Sequence, residues 1–412
     1  MKEAGIIVIG AGAAGLMAAY GAASCGEDVV VLEKMPRPGR KIMITGKGRC
    51  NFTNVKEWND FQEHVHPKAN FLRPSFQNLT PERLISFFEE QGMSCVVERG
   101  DRAFPSSHLA SDVVDSLVYA ASHAGAKIIC ECTVTNVIDD NLEEGFIVNC
   151  GDGSSWHCRK LIITTGGLSY PKTGSTGDGY GWAESFGHKL TPRFPSLTAI
   201  TPKDYRFTEW ISLKNVGLST IIDGNLSQEE FGDLDFTNGG IEGPIGFKVS
   251  RKCVKALLNG SKVQAVIDLK PAVEESDLDR RIQKLWDEVC KDKRSEGKPS
   301  KTLFSVLLGK VLPMEVIPMF MAGNPEIDHK RLAKALKNWK IDIAGNVGYE
   351  RCVITAGGVS LDEVNQKTLE SKKRKGLHLA GEVLDLDADT GGYNLHIAFS
   401  TGYLAGLSAS RS

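Results

Sequence analysis

The sequence predicts an α/β protein in which a Rossmann-like sheet, drawn from both ends of the chain, is interrupted by an inserted β-plus-helical module. Three observations carry this. Residues 5–33 read as strand, glycine turn, helix and strand. Glycine-ended apolar strands recur at 161–167 and 352–358. The texture between about 195 and 345 differs from both flanks.

The first unit opens on Gly5-Ile6-Ile7-Val8-Ile9, followed by Gly10-Ala11-Gly12-Ala13-Ala14-Gly15 and an alanine-rich helix from Leu16 to Ser24. A second apolar run, Asp28 to Leu32, ends on Glu33. Gly10 permits a tight turn, Gly12 leaves the backbone open to a pyrophosphate, and Gly15 lets the helix lie close on the strand. The helix N-terminus offers unpaired N–H groups and the positive end of its dipole to phosphate. Glu33 sits where ribose hydroxyls are bound, roughly 20 residues past the glycines. This frame predicts a bound adenine dinucleotide.

A basic loop, Lys34-Met35-Pro36-Arg37-Pro38-Gly39-Arg40-Lys41, follows the acid, and Thr45 to Asn54 is too polar and glycine-rich to pack as an element. Residues 81–91 read as a helix capped by Thr80 with Pro81 in its first turn. Ser111 to Ala124 read as another, with Val113, Val114, Leu117, Val118 and Ala121 on its apolar face. Short strands at about 126–137, 145–150 and 155–158 form a β-meander, and Leu161 to Gly167 reads as a separate buried parallel strand. Residues 197–270 look like strands joined by turns such as Asn238-Gly239-Gly240, and 275–340 look helical. The expected organisation is one domain from residues 1–194 and 346–412, with the meander at about 126–160. Residues 195–345 form the insert, β to about 270 and helical from 271 to 345.

Composition narrows the partners. The formal charge is −2 over 412 residues and the longest basic cluster, Lys372-Lys373-Arg374-Lys375, is four residues, so no nucleic-acid partner is expected. Ten cysteines without a CxxC fit reduced thiols in the cytoplasm rather than zinc ligands or a disulfide framework. His64 and His66 form a loop pair with no acidic or cysteine partner nearby, and no metal site is expected. No run approaches the roughly 18 apolar residues of a membrane span. Oligomeric state is left open.

Three motifs stand together: the glycine fingerprint, the block Gly39-Arg40-Lys41 … Thr45-Gly46-Lys47-Gly48-Arg49-Cys50-Asn51-Phe52-Thr53-Asn54, and the tail Leu379-Ala380-Gly381-Glu382-Val383-Leu384-Asp385 … Thr390-Gly391-Gly392-Tyr393-Asn394-Leu395. In this combination the chain resembles, over nearly its full length, the bacterial YhiN/BaiN-like family of FAD-dependent oxidoreductases, which is related to the aminoacetone oxidases. The resemblance implies bound FAD, a two-dinucleotide-binding-domain flavoprotein fold, and an inserted barrel-plus-helix domain beside the substrate. Carried over by position, Gly10, Gly12, Ala13, Ala14 and Gly15 meet the pyrophosphate and Glu33, with Lys34 beside it, the adenosine ribose. Arg40 and Lys41 lie beside the cofactor, and Gly46, Gly48, Arg49 and Asn51 near the isoalloxazine. Val134 contacts adenine, Gly166 ends a strand at the cofactor, and Gly381 and Glu382 meet the ribityl–phosphate stretch. Asn394 and Leu395 open the last helix toward the flavin pyrimidine. The tail departs from the family pattern at Asp387-Ala388-Asp389, where a glycine is usual, and at His396, where a glutamine is.

Cys50 lacks the second cysteine that flavin dithiol chemistry needs and reads as a packed thiol. His396 reads as packing or solvent-facing, and Tyr393 and Arg49 as candidates for touching a substrate carbonyl. No catalytic residue is assigned. No second dinucleotide fingerprint is present, so NAD(P)H is expected as a transient donor at the flavin. Within the family two activities are candidates: reduction of conjugated C=C bonds in a 3-oxo-4-ene or 4,6-diene steroid or bile-acid intermediate, by hydride transfer from flavin N5, and oxygen-dependent oxidation of a small amine such as aminoacetone. The first expects an apolar small-molecule substrate. Flavin-dependent RNA modification and nucleotide binding without catalysis stand as further alternatives.

Overall fold

A computed structural model describes residues 1–140, 145–204 and 209–411. The chain divides into two compact units, Met1–Pro195 with Cys352–Ser412, and Ser196–Arg351.

The first unit is built on a sheet whose centre is parallel. Its strands run in the order Lys127–Ile129, Val29–Leu32, Lys2–Ile9, Ser155–Ile163. Ile6–Ile9 pair with Val29–Leu32 on one side and with Lys160–Ile163 on the other. Ile7, Val8, Val29, Val31, Leu161, Ile162 and Ile163 are fully buried, as strands covered on both faces must be. The two strands expected at 155–158 and 161–167 are one strand, Ser155–Ile163, followed by an irregular turn. It changes partner along its outer edge. Ser155–Cys158 pair antiparallel with the meander strand Gly145–Cys150, and Leu161–Ile163 pair parallel with Leu377–Leu379 from the chain's other end.

The helix Ala13–Ala23 is buried at nearly every position, because alanine and glycine let a neighbour approach on all sides. That neighbour is the last helix, Tyr393–Arg411. A Cβ on Gly402 would stand 2.1 Å from the Ala14 carbonyl oxygen, and one on Gly406 2.1 Å from that of Ala18. Two glycines one turn apart therefore press backbone onto backbone. The helix Pro81–Glu90 forms as expected, with Thr80 Oγ1 accepting from the Arg83 N–H. The helix Ala110–His123 buries Val113, Val114, Leu117, Ala120 and Ala121.

The second unit is a closed barrel of Ile200–Pro202, Gly240–Glu242, Asn225–Thr237, Ile211–Ile222, Val263–Asp268 and Trp339–Asn346, in that order. Two expectations are corrected here. The β region expected at about 195–270 contains the helix Gly243–Leu258. The region expected to be helical to 345 ends in a strand, Trp339–Asn346, which closes the barrel by pairing with Val263–Ile267 and with Ile200–Pro202. Its alternation explains this: Trp339, Ile341 and Ile343 are buried while Lys340 and Asp342 are exposed, a period of two. Among the described residues no helix is long and apolar enough to cross a membrane.

Candidate functional site

The first unit encloses a cleft of about 1220 Å³, counting space open to solvent. Its floor is the glycine turn. Gly10 has φ +98°, and a Cβ there would lie 2.8 Å from the Thr164 carbonyl oxygen. Gly12 faces open space, and as N-cap it brings no side chain to the first turn. Ala13 and Ala14 line the cleft at the head of that helix. Gly15 does not line it. A Cβ there would stand 1.8 Å from the Gly10 carbonyl oxygen, so its role is close packing of helix on turn.

Glu33 is buried at one wall, where its carboxylate accepts from the Ala11 N–H (2.7 Å) and the Met35 N–H (2.8 Å). Val134 lines the cleft beside it, as does Cys132, whose N–H donates to the Glu33 carbonyl. The Cys132 and Cys150 sulfurs are 3.3 Å apart as thiols. Lys34 also lines the cleft, but its ammonium is engaged by Thr176 Oγ1 (2.5 Å) and Asp178 (2.6 Å).

The basic loop divides into paired and unpaired cations. Lys41 is tied to Glu382 and donates to Ser169 Oγ (2.9 Å). Glu382 in turn accepts from Ser169 Oγ (2.5 Å) and the Thr355 N–H (2.9 Å). Arg40 and Arg37 line the cleft and make no hydrogen bond or ion pair among the described residues. Arg37 was not singled out from the sequence, although it sits in the loop that was. Gly166 lines the cleft at the turn after the central strand. Gly381 lies behind the wall, with a Cβ there 2.7 Å from the Ala14 Cβ.

The two other motif blocks meet, although some 340 residues separate them. Asn54 Nδ2 donates to the Gly391 carbonyl (3.2 Å), and Thr53 Oγ1 is 2.9 Å from His396 Nδ1. Gly392 is confined to glycine: at φ +98°, a Cβ would lie 2.4 Å from the Thr53 carbonyl oxygen and 2.8 Å from Asn51 Oδ1. Asn51 Oδ1 is itself buried without a hydrogen-bond partner. From this junction Asn394 and Leu395 line the cleft, and Thr45 lines it from the first block. The Asn394 side chain also closes its own loop, accepting from the Ala388 N–H (2.8 Å) and donating to the Ala388 carbonyl (2.7 Å). Gly46, Gly48, Arg49 and Asn51 do not line the cleft; they form the turn beside Thr45, whose carbonyl accepts from the Cys50 N–H.

Two titratable groups of the motif blocks are silenced by burial. Burial pushes the Cys50 thiol up to about 12 and holds His396 down at about 3, so the first is an inert thiol and the second a neutral packed ring. One reading of the sequence is corrected. His64 and His66 do have an acidic partner, because Asp389 accepts from His64 Nδ1 (2.9 Å) and His66 Nε2 (3.1 Å). The contact arises because Asp387–Ala388 pair with Val65–His66, a long-range pairing that spacing could not reveal. Burial disfavours ionisation of Asp389, but the bonds from the two imidazoles outweigh it and hold the carboxyl at about 2. Tyr393 is buried, its ring stacked on His64.

A glycine turn, an open helix N-terminus, a buried ribose-type acid and two unpaired arginines in one cleft fit a dinucleotide with its pyrophosphate. With the loop junction at the same cleft, these features define a flavin-dependent oxidoreductase. A family model described as HI0933-like protein Rossmann domain matches residues 4–408, and the chain belongs to this family of FAD-dependent enzymes. It is 30% identical to a 3-dehydro-bile acid delta(4,6)-reductase of Clostridium scindens, with 98% of each chain covered. It is also 30% identical to a ribosomal RNA dihydrouridine synthase of Haemophilus influenzae, again over 98% of each, and 28% identical to one of Escherichia coli, over 98% and 97%. Among solved structures, the 3-ketosteroid-delta4-(5alpha)-dehydrogenase of Rhodococcus jostii RHA1 shares the fold, with TM-score 0.55, 13% identity and coverage of 100% and 97%.

Proposed function

We propose that this FAD-dependent oxidoreductase saturates a C=C bond conjugated to a carbonyl, with NAD(P)H as electron donor and an apolar steroid- or bile-acid-type enone as substrate. The observation that carries the reading is the junction of the Arg49–Asn54 and Gly391–Leu395 blocks, from which Asn394 and Leu395 line the cleft that holds the glycine turn. Nucleotide binding alone needs only the turn and Glu33. Two relatives of equal identity support the reaction class. One is named for reducing delta(4,6) bonds, and the other for making dihydrouridine, a uridine with one ring C=C saturated.

Bound FAD supplies the hydride chemistry. In this reading the N–H groups at Gly12–Ala14 and the guanidinium groups of Arg37 and Arg40 hold the pyrophosphate. Glu33 holds the ribose, and Val134 lies against adenine. The head of the last helix, at Asn394 and Leu395, places a positive dipole end where a reduced flavin carries negative charge. Reduced thiols and the absence of a membrane-spanning helix among the described residues support a cytoplasmic location.

A second reading, a uridine of ribosomal RNA as substrate, is favoured by the relatives named for that activity. The net charge of −2 and the lack of a long basic run count against it. An anaerobic absorbance titration separates the readings. NADH or NADPH bleaches the flavin band, and a 3-oxo-4-ene steroid restores it. Restoration only by a ribosomal RNA fragment moves the substrate to RNA. Bleaching by aminoacetone instead, with peroxide formed in air, makes the enzyme an amine oxidase.

A further inference from the structure

Saturating a C=C beside a carbonyl puts hydride on the β-carbon, moves the π electrons onto the carbonyl oxygen, and ends with a solvent proton on the α-carbon. NAD(P)H supplies the electrons through the flavin. The oxygen needs a donor already in place as its charge develops. This step rests on the reaction class proposed above and applies equally to a steroid ketone or a uracil ring.

Most polar groups near the cleft are spoken for. Lys34 and Lys41 are bound to carboxylates, His396 is fully buried, and both His64 and His66 donate to Asp389. One cluster differs. Arg49 is paired with Glu98 and lies 2.9 Å from His108 Nδ1. Its guanidinium packs over the Phe104 ring at 4.6 Å. A guanidinium has donors and no acceptor, so Nδ1 of His108 accepts and the ring proton sits on Nε2. Among the described residues that N–H has no partner at hydrogen-bonding distance, and Glu98 Oε1 is 3.8 Å away. His108 and Arg49 are 41% and 43% exposed, open to an incoming molecule. The backbone of His108 is left-handed at φ +57°, a state histidine adopts more readily than most side chains. The remaining charges nearby are Arg102, across Phe104, and Asp112, held by Ser107.

Arg49, Glu98 and His108 lie outside the cleft lining, and their link to it is Thr45, which lines it and whose carbonyl accepts from the N–H of Cys50, the residue after Arg49. Met43 and Ile44, just before the loop, and Leu109, just after His108, are exposed apolar residues close to the cluster in sequence, and the ring contact it makes is with Phe104.

We propose that His108 Nε2–H, fixed in that tautomer by Arg49, donates to the carbonyl oxygen of the substrate, with the Arg49 charge behind it. His108 is then a catalytic residue, and Arg49 and Glu98 position it.

The test uses the FAD-loaded enzyme reduced anaerobically with dithionite and mixed with a 3-oxo-4-ene steroid. His108→Leu should slow flavin reoxidation by about 10²–10³-fold, and His108→Gln, which restores an N–H near Nε2, should recover part of the loss. Reoxidation by ferricyanide, which uses no carbonyl donor, should not change. A second readout needs no turnover: 4-chlorophenolate, an aromatic oxyanion, should give a long-wavelength charge-transfer band with the oxidised enzyme, and His108→Leu should weaken its binding at least about tenfold. Equal steroid rates and equal phenolate affinity in wild type and His108→Leu overturn the proposal. A wild type that the steroid does not reoxidise, but whose phenolate binding still depends on His108, keeps the donor site and rejects the enone as substrate. If His108→Leu loses its flavin, His108→Ala, which also lacks the ring N–H, carries the same two comparisons, and wild-type behaviour in it overturns the proposal.

Discussion

The two motif-bearing parts of the cleft are built on opposite plans. The glycine-turn part comes from one continuous stretch, residues 9–34, with Glu33 bonded back onto Ala11 across a single strand–helix–strand unit. The loop part is stitched from residues 45–54, 95–108 and 387–396, short strands and turns of which only the last leads into a long element, the helix Tyr393–Arg411. Local sequence builds the turn, helix and acid of the first part, which the distant Thr164 and the helix Tyr393–Arg411 then pack against. The second part is held only by bonds between segments far apart in sequence. A shared frame with variable straps suits a family whose relatives are named for acting on bile acids and on RNA.

Substitutions can break or sharpen this contrast. The largest effect is expected where both parts lean on the same helix. Gly402→Val puts a branched side chain where a single Cβ already stands 2.1 Å from the Ala14 carbonyl oxygen. It should cost more than about 3 kcal/mol and abolish FAD retention, as read by denaturant unfolding and flavin content.

Next comes the local part alone. Glu33→Ala removes a buried charged acceptor and should weaken FAD binding by about 2–3 kcal/mol, measured by fluorescence titration of the apoprotein. Unchanged affinity would remove Glu33 from the site.

A smaller effect tests the straps. The Asp389 carboxyl ionises at about 2 in the folded protein, below its ordinary value of 3.8. A depressed acid stabilises the fold above its unfolded pKa and loses that contribution as pH falls toward the folded one. Wild type should therefore lose on the order of 2 kcal/mol between about pH 4 and pH 2 that Asp389→Asn does not lose over the same window, seen in pH-dependent urea unfolding. Parallel curves would show that the His64–Asp389–His66 contact holds nothing. Smallest is the Lys34–Asp178 pair, which is partly exposed. Lys34→Met should cost about 0.5–1 kcal/mol, visible as faster FAD release with little change in melting temperature.

Legibility in the sequence followed the same divide. Residues 5–33 announced strand, turn, helix and acid because every contact that matters there is short-range or fixed by glycine geometry. The family blocks marked the loop part as important but not how it is held. Nothing in the spacing shows that Asp389 accepts from His64 and His66, that Arg49 rests on Phe104, or that Glu382 pairs with Lys41. These contacts depend on pairings between residues tens to hundreds of positions apart. The insert misled in a different way. The helix Gly243–Leu258 carries enough β-branched and glycine residues to pass for strand, and Trp339–Asn346 follows helices closely enough to be taken for another. In both, the period of the apolar positions was the better guide than their surroundings.

The strand Ser155–Ile163 has a consequence for how the chain is made. During synthesis its Leu161–Ile163 half leaves the ribosome more than 200 residues before its partner Leu377–Leu379, and the helix that seals Ala13–Ala23 follows later still. Through that interval the nascent sheet presents an unpaired apolar edge, the kind that recruits other strands or chaperones. The barrel's closing strand Trp339–Asn346, by contrast, is translated before either element. Nascent chains arrested so that residue 352 has cleared the exit tunnel but Leu377 has not should carry a protease-resistant insert and a cofactor domain still unable to retain FAD.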